Sequence, residues 1–68
     1  MKKLTINGDP MELPSEVTTI QQLLAHFQLD QKVVIVEKNK EILQKDSHES
    51  EQVNDGDQIE LVHFVGGG

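Results

Sequence analysis

The sequence contains no cysteine, and this absence limits both its stability and its chemistry. Without thiols the chain can form neither disulfide bonds nor a thiolate metal site, so packing must hold the fold together. The chain also has no nucleophilic thiol of its own. If it handles sulfur, the sulfur comes from another molecule.

Arginine is also absent, and six lysines stand against twelve acidic residues, for a formal charge of -6. This charge repels phosphate backbones and anionic lipid headgroups, and it favours basic protein partners. We therefore expect no binding to nucleic acid. No stretch approaches the roughly 20 apolar residues of a membrane span. We expect a cytoplasmic protein that makes no membrane contact.

The length of 68 residues leaves room for one domain with a modest core. A chain this short buries only roughly 60% of the surface that its unfolded form exposes. A deep enzymatic cleft is therefore not expected. We predict one domain over residues 1–65 and a flexible glycine tail over residues 66–68.

The start of the chain predicts a β-hairpin. Leu4 and Ile6 alternate with polar residues, as on a half-buried strand. Asn7-Gly8 favours a tight turn, which Asp9-Pro10 is predicted to lengthen. Residues 11–13 form the return strand, and the prolines that flank it indicate a sheet edge.

One helix is predicted after the hairpin. Thr18 or Thr19 can cap it, because each has a glutamine three positions later that could complete a capping box. An apolar stripe at helical spacing follows, formed by Ile20, Leu23, Leu24 and Phe27.

The second half of the chain predicts two main strands. Residues 33–36 are all β-branched and are predicted to form a strand that is buried on both faces. Residues 37–40 resemble a turn, and a brief strand over Glu41–Leu43 can follow. Residues 44–52 are predicted to be a surface loop with at most a short helical turn. A turn at residues 54–57 leads to the final strand, predicted over residues 58–65.

Together these elements predict an α+β fold with one helix against one mixed sheet. The last strand must run parallel to the first to share the centre of the sheet, which is the ubiquitin-like β-grasp arrangement. The predicted core consists of Ile20, Leu23, Leu24, Phe27, Val34, Val36, Ile59 and Leu61.

Two groups of polar residues invite a functional interpretation. His48 beside Glu49 and Glu51 could suggest a metal, but one imidazole among acids in a polar loop is typical of solvated surface, and we expect no metal site. Asp55 and Asp57 could be mistaken for catalytic carboxylates. We predict that they are turn residues that accept hydrogen bonds from backbone amides.

Several segments follow the pattern of one protein family. They are the Asn7-Gly8 hairpin, TIQQLL at residues 19–24, VVIVEKN at residues 33–39, the Asp55-Gly56-Asp57 turn and HFVGGG at residues 63–68. Together they resemble the ThiS family of bacterial sulfur carriers over nearly the whole chain. The turn, the last strand and the terminal glycines are common to ubiquitin-like proteins, whereas the helix and the end of the central strand are more particular to ThiS.

The resemblance implies that the chain is a carrier and not an enzyme. A ThiF-type enzyme would join AMP from ATP to the Gly68 carboxylate, and sulfur from a persulfide would then leave a thiocarboxylate. The donor would be a cysteine desulfurase or a rhodanese-type protein, and a ThiG-type thiazole synthase would receive the sulfur to form the thiazole of thiamine. No bound cofactor is implied, because the partner enzyme consumes the ATP.

The tail suits such chemistry because glycine has no Cβ and adopts most backbone conformations. Gly66 and Gly67 would thread a narrow channel and place Gly68 in a partner's active site. Alternation puts Val62 and Phe64 on the face of the last strand opposite Ile59. Either they form, with Val65, a docking patch for the activating enzyme, or a loop or the hairpin covers them.

Three other functions remain open from the sequence. A molybdopterin-synthase small subunit shares the fold, the diglycine ending and thiocarboxylate chemistry. A ubiquitin-type modifier often has a basic residue before its glycines, where this chain has Val65. A ubiquitin-like binding module would have terminal glycines without chemistry.

Overall fold

A computed structural model describes residues 1–63, excluding the side chain of His63. The strands are β1 (Lys2–Ile6), β2 (Asp9–Leu13), β3 (Val34–Lys38), β4 (Glu41–Leu43) and β5 (Gln58–His63), with one α-helix, α1 (Ile20–His26), and a 3-10 turn at Lys45–Ser47. The five strands form one sheet in the order β2-β1-β5-β3-β4. β1 and β5 are adjacent and parallel, and the other neighbours are antiparallel. The predicted β-grasp is therefore confirmed.

Two expectations fall on the part of the chain beyond residue 63. The predicted boundary between domain and tail, after residue 65, lies outside the described residues, as do the last two residues of the predicted final strand. Within residues 1–63, no helix has the length and apolarity needed to cross a membrane.

The core lies between α1 and one face of the sheet. Of the predicted core residues, five are buried and three, Phe27, Val34 and Leu61, are half-buried against them. The structure adds apolar residues that the periodicity did not single out. They are Leu13 at the end of β2, Val17 before α1 and Val53 before the last turn, all buried.

The first hairpin turns at Asn7-Gly8, as predicted, but its loop is shorter than predicted. Asn7 has a φ of 53° and Gly8 a φ of 85°, the left-handed values that a two-residue hairpin turn requires. Asp9 and Pro10 already belong to β2, where Pro10 pairs with Thr5. Pro10 is tolerated because β2 is the edge strand.

The N-terminus of α1 has a partner for each of its first amides. Thr19 is the N-cap, and its side chain and that of Gln22 form the predicted capping box. The amides of Ile20 and Gln21 donate to the carbonyls of Glu51 (2.9 Å) and His48 (2.9 Å). A helix leaves its first amides without partners inside the helix. The loop before β5 therefore contributes to capping α1 together with Thr19.

The C-terminus of α1 is closed without glycine. Gln28 has a φ of 61°, and its amide donates to the carbonyl of Ala25 (3.0 Å). The amide of Leu29 donates to the carbonyl of Leu24 (2.7 Å), and Leu29 packs against the core. This is the Schellman arrangement with glutamine in the place usually held by glycine.

The prediction that residues 33–36 are buried on both faces is wrong. Val36 is fully buried and Val34 half-buried, but Ile35 is 41% exposed and Val33, just before β3, is 74% exposed. β3 faces α1 on one side only, and no second layer covers the other side within the described residues. The β-branched composition therefore reflects strand propensity rather than two-sided burial.

The prediction that His48 is solvated is also wrong. The 3-10 turn at Lys45–Ser47 matches the expected short helical turn, but His48 after it is only 4% exposed. Its Nε2 is buried and has no hydrogen-bond partner within the described residues. Burial lowers the pKa of His48, and the positive charge of Lys45 lowers it further. The fold therefore favours the neutral imidazole.

The packing of α1 predicts the effect of truncating Leu24, which is 4% exposed. Leu24→Ala should lower the free energy of unfolding by about 2–5 kcal/mol, because it removes buried methyl groups and leaves a cavity. Denaturant unfolding would measure the loss. Val33→Ala removes methyl groups from an exposed side chain and should change stability by less than about 0.5 kcal/mol. Equal effects of the two substitutions would contradict the core assignment.

Burial of neutral His48 predicts a specific loss of stability in acid. The pKa of His48 is lower in the folded than in the unfolded chain, so below about pH 6.5 the unfolded chain binds more protons. Stability should therefore fall as pH drops through this value, at no more than about 1.4 kcal/mol per pH unit from this group. Unfolding free energies measured from roughly pH 5 to roughly pH 8 would show this loss.

The matched variants for this measurement are His48→Gln and His26→Gln, since His26 is exposed on α1. His48→Gln should lose less unfolding free energy than the wild type as the pH falls through about 6.5. His26→Gln should follow the wild type. A His48→Gln profile parallel to that of the wild type would show that His48 is not buried in its neutral form.

Candidate functional site

The strand that leads to the glycines lies at the centre of the sheet. β5 pairs with β1 on one side only at Gln58 and Ile59, whereas on the other side it pairs with β3 from Ile59 to His63. Beyond the end of β1, the Leu61 amide donates to Asn7 Oδ1 (2.8 Å). The last described residues of β5 therefore run along β3 with Asn7 beside them, towards the part of the chain that holds the glycines.

The turn before β5 is fixed by both aspartates. Asp55 Oδ1 accepts the Lys3 amide (2.7 Å), and Asp57 Oδ2 accepts the Asn54 amide (2.8 Å). Gly56 has a φ of 84° and donates its amide to the Lys3 carbonyl (2.8 Å), so a residue without Cβ suits this position. The prediction that these aspartates accept backbone hydrogen bonds is confirmed.

A second asparagine fixes the start of β5. Asn39 Oδ1 accepts the Gln58 amide (2.9 Å), and Asn39 Nδ2 donates to Asp57 Oδ1 (3.1 Å). The Asn39 amide donates to the Gln58 carbonyl (2.8 Å). Asn39 and Lys40 both have positive φ, at 50° and 71°, so this hairpin turns without glycine.

Lys38 connects the end of β3 to the loop and the turn that precede β5. Its Nζ donates to Glu51 Oε2 (3.0 Å) and to the Gln52 carbonyl (2.6 Å), and it lies 3.8 Å from Asp57 Oδ2. The side chains of Lys38 and Asp57 are only 13% and 10% exposed. Separating Lys38 from Asp57 would leave a charge with little access to water, which is energetically costly. The ion pair therefore helps to hold the start of β5 in place.

The face of β5 away from α1 is open. Ile59 is buried and Leu61 half-buried towards the helix, which confirms the predicted alternation, and Val62 is 53% exposed on the opposite face. Val62 pairs across the strands with Ile35, which is also exposed. Neither a loop nor the hairpin covers Val62 among the described residues. We call this face of the sheet the outer face.

Acidic residues lie next to this apolar pair. Glu37 and Glu60 are direct partners on β3 and β5, one step along from Ile35 and Val62 on the outer face. Ile42, which is 67% exposed, pairs with Glu37 from the β4 side. All ion pairs within 4.0 Å among the described side chains involve Lys38. Neither Glu37 nor Glu60 therefore forms an ion pair at that distance with a described side chain.

The other predicted site residues belong to the end of the chain. Phe64, Val65 and residues 66–68 lie outside the described residues. Among the described residues, no group of three or more His, Asp or Glu side chains is arranged to hold a metal ion.

The sequence interpretation missed Ile35 and Ile42 as surface residues. A signal was available, because one helix can cover only one face of a sheet. Since β3 lies beside β5 in the sheet, its alternate residues face the same outer side as Val62.

Comparison with known proteins gives a consistent result. The model of the ThiS family matches residues 4–68. The sulfur carrier protein ThiS of Bacillus subtilis (strain 168) is 49% identical over 65 residues, which are 96% of this chain and 98% of that protein. A thiazole synthase of Paramagnetospirillum magneticum is 42% identical over 66 residues, and the chain spans only 20% of its length.

A solved structure shares the fold over nearly its full length. The crystal structure of the thiamine biosynthesis protein ThiS from Geobacter metallireducens aligns with a TM-score of 0.80 and 34% identity, covering 97% of this chain and 99% of that one. Fold, sequence similarity and the match of residues 4–68 agree. This chain is therefore a member of the ThiS family.

Proposed function

We propose that the chain is a sulfur carrier of thiamine biosynthesis. The observation that carries this proposal is the 49% identity, over nearly the whole of both chains, to a protein named as the sulfur carrier ThiS. The geometry supports it, because the strand before the glycines is the central one and is anchored at its start. An anchored strand followed by glycines, which have no side chain, suits a terminal group that must enter a partner's active site.

The reactive group in this proposal is the Gly68 carboxylate. A carboxylate is a poor electrophile, because its negative charge repels nucleophiles and its oxygens are poor leaving groups. A ThiF-type enzyme would overcome this by letting a carboxylate oxygen attack the α-phosphate of ATP, which releases pyrophosphate and leaves an acyl-adenylate. ATP is thus consumed by the partner, and we propose that this chain holds no cofactor. We propose the cytoplasm as the place of this ATP-dependent reaction.

Sulfur would enter in the next step. The terminal sulfur of a persulfide, held by a cysteine desulfurase or a rhodanese-type protein, attacks the carbonyl carbon and expels AMP. The product is an acyl persulfide with an S–S bond. A second thiolate attacks the inner sulfur of the donor and breaks the S–S bond. The outer sulfur stays on the carrier as a thiocarboxylate, and the inner sulfur and the second thiol form a disulfide. The carrier has no cysteine, so both thiols must belong to partners.

A ThiG-type thiazole synthase is the proposed acceptor. Two proteins named thiazole synthase, from Paramagnetospirillum magneticum and Magnetococcus marinus, are 42% and 35% identical to this chain over one fifth of their length. In those proteins a region similar to this chain belongs to the same polypeptide as the rest of the synthase. This supports an interaction between this chain and a thiazole synthase.

We propose that Val62, Phe64 and Val65 dock the carrier on the adenylating enzyme. Val62 supports the proposal, because its side chain is 53% exposed and lies at the last described part of β5. An exposed apolar side chain that precedes the reactive terminus by a few residues in the sequence can be buried in a partner while the tail enters the active site. Phe64 and Val65 follow in the sequence and would extend the contact.

The proposal predicts that sulfur loading depends on the position of the terminal carbon. Adding one residue after Gly68, or deleting Gly68, moves the carboxylate by roughly 3.5 Å and should abolish loading, because in-line attack needs close alignment. Gly67→Val should load poorly because its side chain obstructs the channel. Intact-protein mass spectrometry after incubation with a ThiF-type enzyme, ATP and a persulfide donor would detect exchange of oxygen for sulfur.

All three tail variants should unfold like the wild type, which serves as the control for folding. Substitution of sulfur in a variant that lacks Gly68, with the mass change located at an internal residue, would defeat the proposal. A carrier that binds its partner but never forms an acyl-adenylate would instead be a binding module.

The docking proposal predicts that Val62→Ala and Phe64→Ala weaken binding to the adenylating enzyme. Each should raise the dissociation constant by about fivefold or more, because truncating a buried apolar contact at an interface costs on the order of 1 kcal/mol. Calorimetric titration would measure it. Ala25→Ser, at an exposed position on α1, is the control and should bind like the wild type. A large loss of stability without loss of affinity would show that these side chains belong to the core.

A further inference from the structure

We propose that the outer face binds an arginine of the adenylating enzyme between Glu37 and Glu60. The apolar side chains of Ile35 and Val62 would take the aliphatic part of that arginine and the apolar residues around it. This inference rests on the proposed function, and it adds the chemistry that the partner must present. The docking surface then includes Ile35, Glu37, Ile42 and Glu60 in addition to Val62.

The two glutamates occupy directly opposed positions on neighbouring antiparallel strands. Such partners have Cβ atoms about 4.5–5.5 Å apart, and like charges at this spacing destabilise a sheet. No described cation forms an ion pair within 4.0 Å with either glutamate, since the ion pairs at that distance all involve Lys38 on the other face. Lys40 lines the same shallow concavity as Glu37 and Glu60 but forms no ion pair with either.

The apolar residues give this acidic pair an interface character. Ile35 and Val62 form the next rung of the same two strands, roughly 7 Å along from the glutamates. Ile42 lies on the other side of Glu37, on β4. These three side chains are 41%, 53% and 67% exposed. The exposed apolar side chains therefore lie on two sides of Glu37, and a surface that combines apolar and charged residues in this way suits a protein contact.

Arginine fits this arrangement better than lysine. Its planar guanidinium has five donors and can bind two carboxylates at once, and its stem packs on apolar side chains. A second copy of this chain does not fit, because it has no arginine and carries a charge of -6, so two such faces would repel each other. The charge of the face therefore points to a basic partner.

The proposal makes an unusual prediction about two variants. Glu37→Gln and Glu60→Gln should each stabilise the isolated carrier, raising the melting temperature by about 1–5 °C, because the like-charge repulsion is removed. The same variants should bind a ThiF-type enzyme about three- to tenfold more weakly. Glutamine keeps the shape of the side chain, so the loss reports the charge. The affinity of the variants should also depend less steeply on salt concentration.

Glu49→Gln is the matched control, since it removes the same charge at an exposed position in the loop before β5. It should leave affinity near that of the wild type. Unchanged or tighter binding of both Glu37→Gln and Glu60→Gln would overturn the inference, as would self-association of the wild type through this face in sedimentation experiments.

A parallel assay of adenylation separates this inference from the function on which it rests. If the wild type forms the acyl-adenylate and the glutamine variants bind as tightly as it does, only the arginine contact is wrong. If the wild type forms no acyl-adenylate with the ThiF-type enzyme, the proposed function fails first.

Discussion

One helix of seven residues must cover a five-stranded sheet, and most features of the molecule depend on this limit. The helix buries one face, where Ile20, Leu23 and Val36 are almost fully enclosed. The other face has no second layer within the described residues. Its side chains include Ile35 and Val62, which remain exposed on the central strands β3 and β5. Because there is only one short helix, the sheet has a core on one face and an open surface with apolar side chains on the other.

The helix is too short to be stable alone, and the loop before β5 compensates for this. Carbonyls of His48 and Glu51 accept the first helical amides, and Val53 is buried behind them. The loop is held in turn by Lys38, which contacts Glu51 and Asp57. The path from helix to loop to turn ends at the start of β5. Positioning of the last strand therefore depends on contacts that span most of the chain.

Much of the fold could be predicted from local patterns. The Thr19 capping box, the Asn7-Gly8 turn and the alternation from Ile59 to Val62 each depend on residues a few positions apart, and all three are confirmed. The errors concern contacts between distant segments. A run of β-branched residues does not reveal whether a second layer exists, so the exposure of Ile35 was missed.

The burial of His48 was missed for a similar reason. The loop that contains it is polar in composition, and its partners are backbone amides of a helix that lies far away in sequence. Hairpin and helix ends without glycine, at Lys40 and Gln28, also gave no local signal. For the site, the sequence indicated Val62 as an exposed candidate, but only the register brings Ile35 and Glu37 beside it.

We propose that the Gly68 carboxylate is activated and that sulfur replaces one of its oxygens. Carrier with the heavy oxygen isotope in that carboxylate, incubated with a ThiF-type enzyme, ATP and a persulfide donor, would test it most directly. Attack of a carboxylate oxygen on the α-phosphate, followed by expulsion of AMP, transfers one labelled oxygen to AMP. If Gly68 is the activated residue, labelled AMP should form in equal amount to the thiocarboxylate. Thiocarboxylate accompanied by unlabelled AMP would contradict the proposal.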